Sequence, residues 1–236
     1  MKRAIQEHLL PGETLLEKLH YAKNAGYDGV EFDGAGLTER VPEIAAALVE
    51  TGLQASAVNA GGCHLIHPDI AQRDAAIVYL RQSMANALDL NAAGVVFCPQ
   101  LADTPHLPDL HPYKSSIELE AELLVTQLRA TLGDLAYAMG AYLFLAPHHD
   151  RLVKRVDMAI TVLDKNKNHP HIGIAPHTDH MRRAETDQPE TVLQSQAKRF
   201  TIVHVVEQDP SAIIQALEAG GFEGWITAAA PDVSLI

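Results

Sequence analysis

Five histidines lie within or just after three successive apolar segments in the C-terminal half of the chain: His148, His149, His177, His180 and His204. Imidazole is the commonest metal ligand and the commonest general acid or base in proteins. Three of these residues, His148, His177 and His204, match the ligand set of a catalytic zinc site with an open fourth position. The alternative is that the rings line a polar opening and bind no metal, because their spacing is no zinc signature. We therefore expect no cofactor, with zinc as the alternative.

One carboxylate lies between two of these histidines. Asp179 could orient the imidazole of His177 or His180, as the acidic member of a catalytic triad does. His177 would then act as a general base with a pKa near neutrality, so His177, Asp179 and His180 are candidate catalytic residues. The alternative for Asp179 is a solvated residue that caps the following segment.

The chain has two cysteines and no CxxC pattern, which gives no disulfide framework. Cys63 lies beside His64 in the segment NAGGCHLIHPD, and Cys98 ends the segment VVFC. A thiol next to an imidazole could be a catalytic nucleophile, because the imidazole favours the thiolate. The alternative is that both thiols are inert packing residues.

Apolar strand-like segments alternate with amphipathic helical segments, a pattern typical of a parallel sheet with crossover helices. Eight strands are predicted near 3–7, 28–32, 54–58, 94–98, 142–146, 171–175, 201–206 and 224–228. Helices are predicted near 13–24, 40–51, 69–90, 116–139, 153–166, 188–198 and 210–219. The pattern predicts an α/β protein with a single (β/α)8 barrel over residues 1–236. In such a barrel the residues at the C-terminal ends of the strands form the site.

Composition excludes several classes of partner. Apolar residues make up 47% of the chain and charged residues 20%, which is typical of a globular protein. The net charge of −12 argues against nucleic acid, whose recognition needs clustered cations. The sequence has no signal-peptide core and no apolar run of about 18 residues. We expect a cytoplasmic protein that acts on a small molecule and contacts no membrane.

Three C-terminal segments carry a family resemblance: GIAPHTDHM at 173–181, IVHVVE at 202–207 and GWITAAAP at 224–231. Together they resemble the sugar isomerase/epimerase family with the xylose isomerase-like TIM barrel, which includes the AP endonuclease family 2 proteins. The resemblance implies one divalent metal ion held by a Glu, an Asp, a His and a Glu at four strand ends. The matching residues here are Ala146, His177, His204 and Ala229. Three of the four ligands differ, so we expect the inherited epimerase activity to be lost.

The same resemblance implies contacts to a sugar. His180 matches a histidine that contacts sugar hydroxyls, Glu31 matches a glutamate that faces the pocket, and Glu207 matches an acidic residue after the family histidine. The alternative for each is a hydrogen bond to a neighbouring loop.

Relatives in this family usually close the barrel with a final helix, whereas this chain ends in PDVSLI. We expect the final helix to be missing or truncated. Its absence would leave an apolar groove between the first and last helices, which a second copy of the chain could cover in a homodimer.

Two hypotheses for function follow from the altered ligand positions. The first is a natural non-catalytic relative that binds a polyol. The second is an engineered barrel with a metal-free, histidine-based site for a reaction such as ester hydrolysis or proton abstraction, because both lost glutamates are alanine within flanking sequence that follows the family pattern. A zinc hydrolase with a three-histidine site is a further alternative.

Overall fold

Eight parallel strands form one sheet, in the order β6-β5-β4-β3-β2-β1-β8-β7. The computed structural model describes residues 1–184, 186–231, 233 and 235. The strands are β1 Lys2–Gln6, β2 Gly29–Asp33, β3 Gln54–Gly62, β4 Val95–Cys98, β5 Leu143–Leu145, β6 Ile172–Ile174, β7 Ile202–Val205 and β8 Trp225–Ala228. Parallel bridges link Ile174 to Phe200 and His177 to His204, which brings β6 and β7 together. The predicted eight-stranded barrel is confirmed.

The helices lie between the strands as the sequence pattern predicts. They are α1 Leu15–Asn24, α2 Val41–Thr51, α3 Ile70–Asp89, α4 Ser116–Gln127, α5 Asp134–Met139, α6 Val156–Lys165, α7 Thr178–Ala184, α8 Pro189–Gln196 and α9 Ser211–Ala219. The predicted helix over 116–139 is interrupted by a π-helical segment, Leu128–Gly133, between α4 and α5. The segment after β6, which the pattern left without a helix, forms α7.

Capping boxes fix the start of two helices. At α1 the Thr14 hydroxyl accepts from the Glu17 amide, and the Glu17 carboxylate accepts from the Thr14 amide. Ser115 and Glu118 form the same pair at α4. Each box satisfies two backbone donors that a helix N-terminus leaves unpaired.

The interior of the barrel is filled by side chains from alternate strand positions. This inner layer consists of Ala4, Ala57, Val96, Phe144, Ala175, Ile202 and Trp225. Two glycines make room for the large rings, because a Cβ at Gly29 would lie 2.8 Å from Trp225 and one at Gly173 would lie 2.9 Å from Phe144. Trp225 is thus a core residue. The layer closes the barrel below its C-terminal opening.

Beyond β8, Val233 and Leu235 are buried in the main hydrophobic core. The Tyr27 hydroxyl donates to the Val233 carbonyl at 3.5 Å. The side chains of Val233 and Leu235 therefore cover part of the core, and none of the residues described after β8 is helical. Among the described residues, no helix is long and apolar enough to span a membrane.

Candidate functional site

Each residue of the site comes two positions after an inner-layer residue in the sequence. Strand alternation therefore points its side chain into the barrel opening. Gln6 follows Ala4, Asn59 follows Ala57, and Cys98 follows Val96. Ala146, His177 and His204 follow Phe144, Ala175 and Ile202 in the same way. All six residues line one cavity of about 160 Å³. The opening is therefore a direct consequence of the period of two along each strand.

A buried carboxylate–imidazole pair joins Glu31 to His204, which lines the cavity. Glu31 and His204 are 1% and 3% exposed, and the Glu31 Oε2 to His204 Nε2 distance is 2.6 Å. The other carboxylate oxygen of Glu31 accepts from Gln6 Nε2 at 2.8 Å and from Asn59 Nδ2 at 2.9 Å. Burial alone would raise the pKa of the Glu31 carboxyl, but His204 and the hydrogen bonds from His204, Gln6 and Asn59 hold the pKa below its usual range. Both oxygens are thus engaged within the protein.

His177 lies between two other imidazoles. Its ring stacks on His180 at 4.5 Å and on His204 at 5.8 Å between centroids. Its buried Nδ1 has no hydrogen-bond partner among the described residues. Burial, together with repulsion from His204, His180 and His148, lowers the pKa of His177 to about 2. The expected pKa near neutrality is therefore wrong for this ring, which is neutral at physiological pH and a weak base.

Three further imidazoles form a cluster beside His177. His148, His149 and His180 can place one ring nitrogen each within 4.8 Å of the others. The Nδ1 atoms of His149 and His180 lie 3.0 Å apart. Burial and the neighbouring rings of His148 and His149 lower the pKa of His180 to about 4, and burial lowers the pKa of His148. The predicted tripod shares His148 with this cluster, but its other members, His177 and His204, lie outside it.

The carboxylates of Asp179 and Glu207 each pair with an arginine of α7. The Asp179 carboxylate accepts from Arg183 Nε at 3.1 Å and lies 3.8 Å from His180 Nδ1. Glu207 accepts from the Thr178 hydroxyl and from Arg182 Nε, both at 2.7 Å. Glu207 therefore joins α7 to the end of β7 and does not line the cavity. Asp179 is paired more closely with arginine than with the imidazole it was expected to orient.

The two thiols differ in position. Cys63 is buried, with its Sγ 3.4 Å from the Cys98 carbonyl oxygen, and burial raises the pKa of its thiol to about 12. Cys98 lines the cavity, and burial also raises the pKa of its thiol. Neither environment favours a thiolate, so the candidate nucleophile Cys63 gains no support from its surroundings.

The residues at the four implied ligand positions do not suit a metal ion that prefers oxygen ligands. Ala146, His177 and His204 line the same cavity, and Ala229 follows β8 with its amide bonded to the Val205 carbonyl at 2.9 Å. Two of the four carry a methyl group with no donor atom. The remaining imidazoles suit neither manganese nor magnesium, which prefer oxygen ligands. We therefore assign no step to a metal at these positions.

Sequence reasoning missed two residues of the opening, Gln6 and Asn59. Gln6 lies at the end of β1, and Asn59 lies one residue beyond the predicted third strand, which in the structure continues to Gly62. Alternation from Ala4 and Ala57 would have identified both as inward-facing. Each donates a hydrogen bond to Glu31, which was identified from the sequence.

Comparison with known proteins identifies the family. The model for the xylose isomerase-like TIM barrel matches residues 19–234. The chain belongs to this family. The resemblance drawn from the three C-terminal segments is thus confirmed over nearly the whole chain.

Similar members of the xylose isomerase-like family include sugar epimerases. The chain is 24% identical to the 3-dehydro-D-guloside 4-epimerase of Escherichia coli K12 over 96% of this chain and 90% of that protein. The apo crystal structure of an E. coli 3-keto-D-glucoside 4-epimerase has a TM-score of 0.83 at 23% identity, covering 98% of this chain and 92% of that one. A D-psicose 3-epimerase of Clostridium cellulolyticum H10 in complex with D-tagatose gives 0.77 at 15% identity, covering 97% and 84%. At these identities the structural likeness concerns the fold.

Proposed function

We propose that the barrel opening binds a neutral sugar or polyol and does not catalyse the metal-dependent epimerisation implied by its family. The observation that carries this proposal is the buried Nδ1 of His177, which lines the cavity without a partner among the described residues. A buried polar atom left unpaired is costly, so this atom favours a ligand that supplies a hydrogen bond.

The chemistry of the lining favours hydroxyl groups. A neutral imidazole has one donor and one acceptor nitrogen, and a hydroxyl group can both donate and accept. Gln6 and Asn59 supply uncharged amides at the same cavity. No Lys or Arg lines it in the part of the chain that the structure describes, so an anionic sugar phosphate has no cation to bind. The ligand we propose is therefore uncharged.

Size favours a monosaccharide. A second cavity of about 150 Å³, lined by His8, Glu31 and Asp33, shares Gln6, Asn59 and Gly61 with the first. Together the two approach the lower end of the range for ligand pockets, about 300–1,000 Å³. The names of the relatives also specify uncharged sugars, a 3-keto-D-glucoside, D-psicose and D-tagatose.

The opening lacks the acid and base groups that the family's proton transfer needs. Epimerisation at a carbon needs an acid and a base on either side of it, and Ala146 and Ala229 carry neither. Glu31 is engaged with His204, Gln6 and Asn59. Without the family's metal ligands and without the carboxylate pair, the opening retains groups that recognise hydroxyls. This holds whether the alanines arose by design or by descent.

Calorimetric titration of neutral ketoses, 3-ketoglycosides and polyols into chelator-treated protein tests the proposal. We expect binding of at least one of them and none of the matching sugar phosphates. The variant His177→Leu should weaken binding roughly 3- to 10-fold, the value of one neutral hydrogen bond. The exposed His20→Ala is the matched control and should bind like the parent. Equal affinity of His177→Leu and the parent, or tighter binding of the phosphates, would contradict the proposal.

A further inference from the structure

We propose that His148, His149 and His180 form a binding site for a borderline transition-metal ion such as Zn²⁺, displaced from the positions that the family uses. Each of these residues has a ring nitrogen within 4.8 Å of one from each of the other two. The site uses none of Ala146, His177, His204 or Ala229. His148 and His180 also line the cavity proposed for the sugar, but the metal site does not depend on sugar binding.

The spacing of the nitrogens is close to that of a tetrahedral zinc site. Zinc–nitrogen bonds of about 2.0–2.1 Å place neighbouring ligand nitrogens roughly 3.3 Å apart. The Nδ1 atoms of His149 and His180 are 3.0 Å apart. The ring of His148 lies 3.8 Å from that of His180 and 4.9 Å from that of His149 between centroids. With one nitrogen of each ring within 4.8 Å of the others, the three residues could converge on one ion.

The backbone brings the three rings together from two elements. His148 and His149 lie in the loop after β5, separated from the strand by two residues. In this loop the His148 amide donates to the Val153 carbonyl at 2.9 Å, and the Arg151 amide donates to the His148 carbonyl at 3.0 Å. His180 lies in α7, which Glu207 anchors to the end of β7 through Thr178. The positions are therefore set by the scaffold before any ion binds, which lowers the cost of binding.

A neighbouring carboxylate, Asp150, provides the outer contact that is typical of a histidine-ligated metal site. Asp150 contacts His148 Nδ1 and is itself held by Arg151 at 2.7 Å. A carboxylate on the second nitrogen of a ligating histidine fixes the ring and increases its basicity. The net charge of −12 also attracts cations.

Three ligands leave one position of a tetrahedral ion open, as in catalytic zinc sites. His148 and His180 line the main cavity, so the open position would be accessible from it. The class of ligand for that position is water or an oxygen atom of a small molecule that enters the opening.

The test is titration of tag-free, chelator-stripped protein with Zn²⁺ by calorimetry and with Co²⁺ by visible absorption. Co²⁺ in a tetrahedral nitrogen site absorbs strongly, whereas the hydrated ion does not. We expect one ion per chain and a tetrahedral Co²⁺ spectrum. His149→Ala and His180→Ala should each weaken Zn²⁺ binding more than about 100-fold, beyond the 10- to 100-fold cost of losing an outer contact.

Two variants keep the result interpretable. His20→Ala removes an exposed imidazole on α1 and should bind zinc like the parent. His177→Ala removes one ring of the alternative ligand set, His148, His177 and His204, and should also retain zinc binding. Because His149 does not line the main cavity, His149→Ala should bind zinc weakly and the sugar normally, which separates this site from the proposed function. Circular dichroism confirms that each variant is folded.

The proposal would be overturned if stripped protein bound no Zn²⁺, or if binding survived both His149→Ala and His180→Ala. Loss of binding in His177→Ala with full binding in His149→Ala would also overturn it, and would assign the ion to His148, His177 and His204 instead.

Discussion

Replacing Glu31 with leucine is expected to destabilise the protein by about 3–5 kcal/mol, because each buried hydrogen-bonding group left without a partner costs about 1–3 kcal/mol. The substitution leaves the His204 imidazole and the amides of Gln6 and Asn59 without their acceptor. Urea denaturation of parent and variant at pH 7 measures the difference. Glu31→Gln should cost less than Glu31→Leu, because its amide oxygen can still accept from Gln6 and Asn59.

The dependence on pH has a definite sign. The pKa of Glu31 is lowered in the fold, so its stabilisation is fully present above the ordinary value of 4.5 and is lost as the pH falls through the folded value. The difference between the parent and Glu31→Leu should therefore shrink on acidification below pH 4. Glu50→Gln, at an exposed carboxylate on α2, is the control and should change stability little. A cost for Glu31→Leu no greater than that for Glu50→Gln would show that the pair does not stabilise the fold.

Restoring the family's ligand set should restore a metal site. The combined variant Ala146→Glu, His177→Asp and Ala229→Glu supplies three carboxylates beside His204, with Glu31 still fixing Nε2 of that ring. Oxygen ligands of this kind suit manganese. We expect Mn²⁺ affinity at least about 100-fold above that of the parent, since even outer contacts to a metal site are worth 10- to 100-fold. Calorimetric titration measures it.

Ala146→Glu alone is the control and should not bind Mn²⁺ tightly, because one carboxylate beside His204 leaves the ion under-coordinated. Tight Mn²⁺ binding by the parent, or by this single variant, would show that groups outside the four family positions hold the metal. Failure of the folded triple variant to gain affinity would show that the strand ends have diverged in position as well as in residue type.

The family resemblance together with the strand pattern made part of the site predictable. The strand ends at Ala146, His177 and His204 meet at one opening because all strands are parallel and the barrel closes. Since these placements depend on backbone geometry and the hydrophobic pattern, the sequence is sufficient for them.

Other features depend on contacts between segments distant in sequence. The pairing of Glu31 with His204 joins residues 173 positions apart, and the sequence assigned them separate roles. The pKa of His177 follows from burial and from three rings on other segments, which no local pattern predicts. The contact between His149 and His180 likewise depends on where α7 begins. Their types were visible in the sequence, but their pairing was not.

Solvent deuterium incorporation is the most direct test of the claim that the opening has lost the inherited proton transfer. A ketose that the protein binds would be incubated in D2O with excess Mn²⁺, and exchange at the carbon next to the carbonyl followed by NMR. With methyl groups at residues 146 and 229, we predict exchange at the protein-free rate in the parent. Exchange above that rate in the parent, abolished by chelator, would contradict the account.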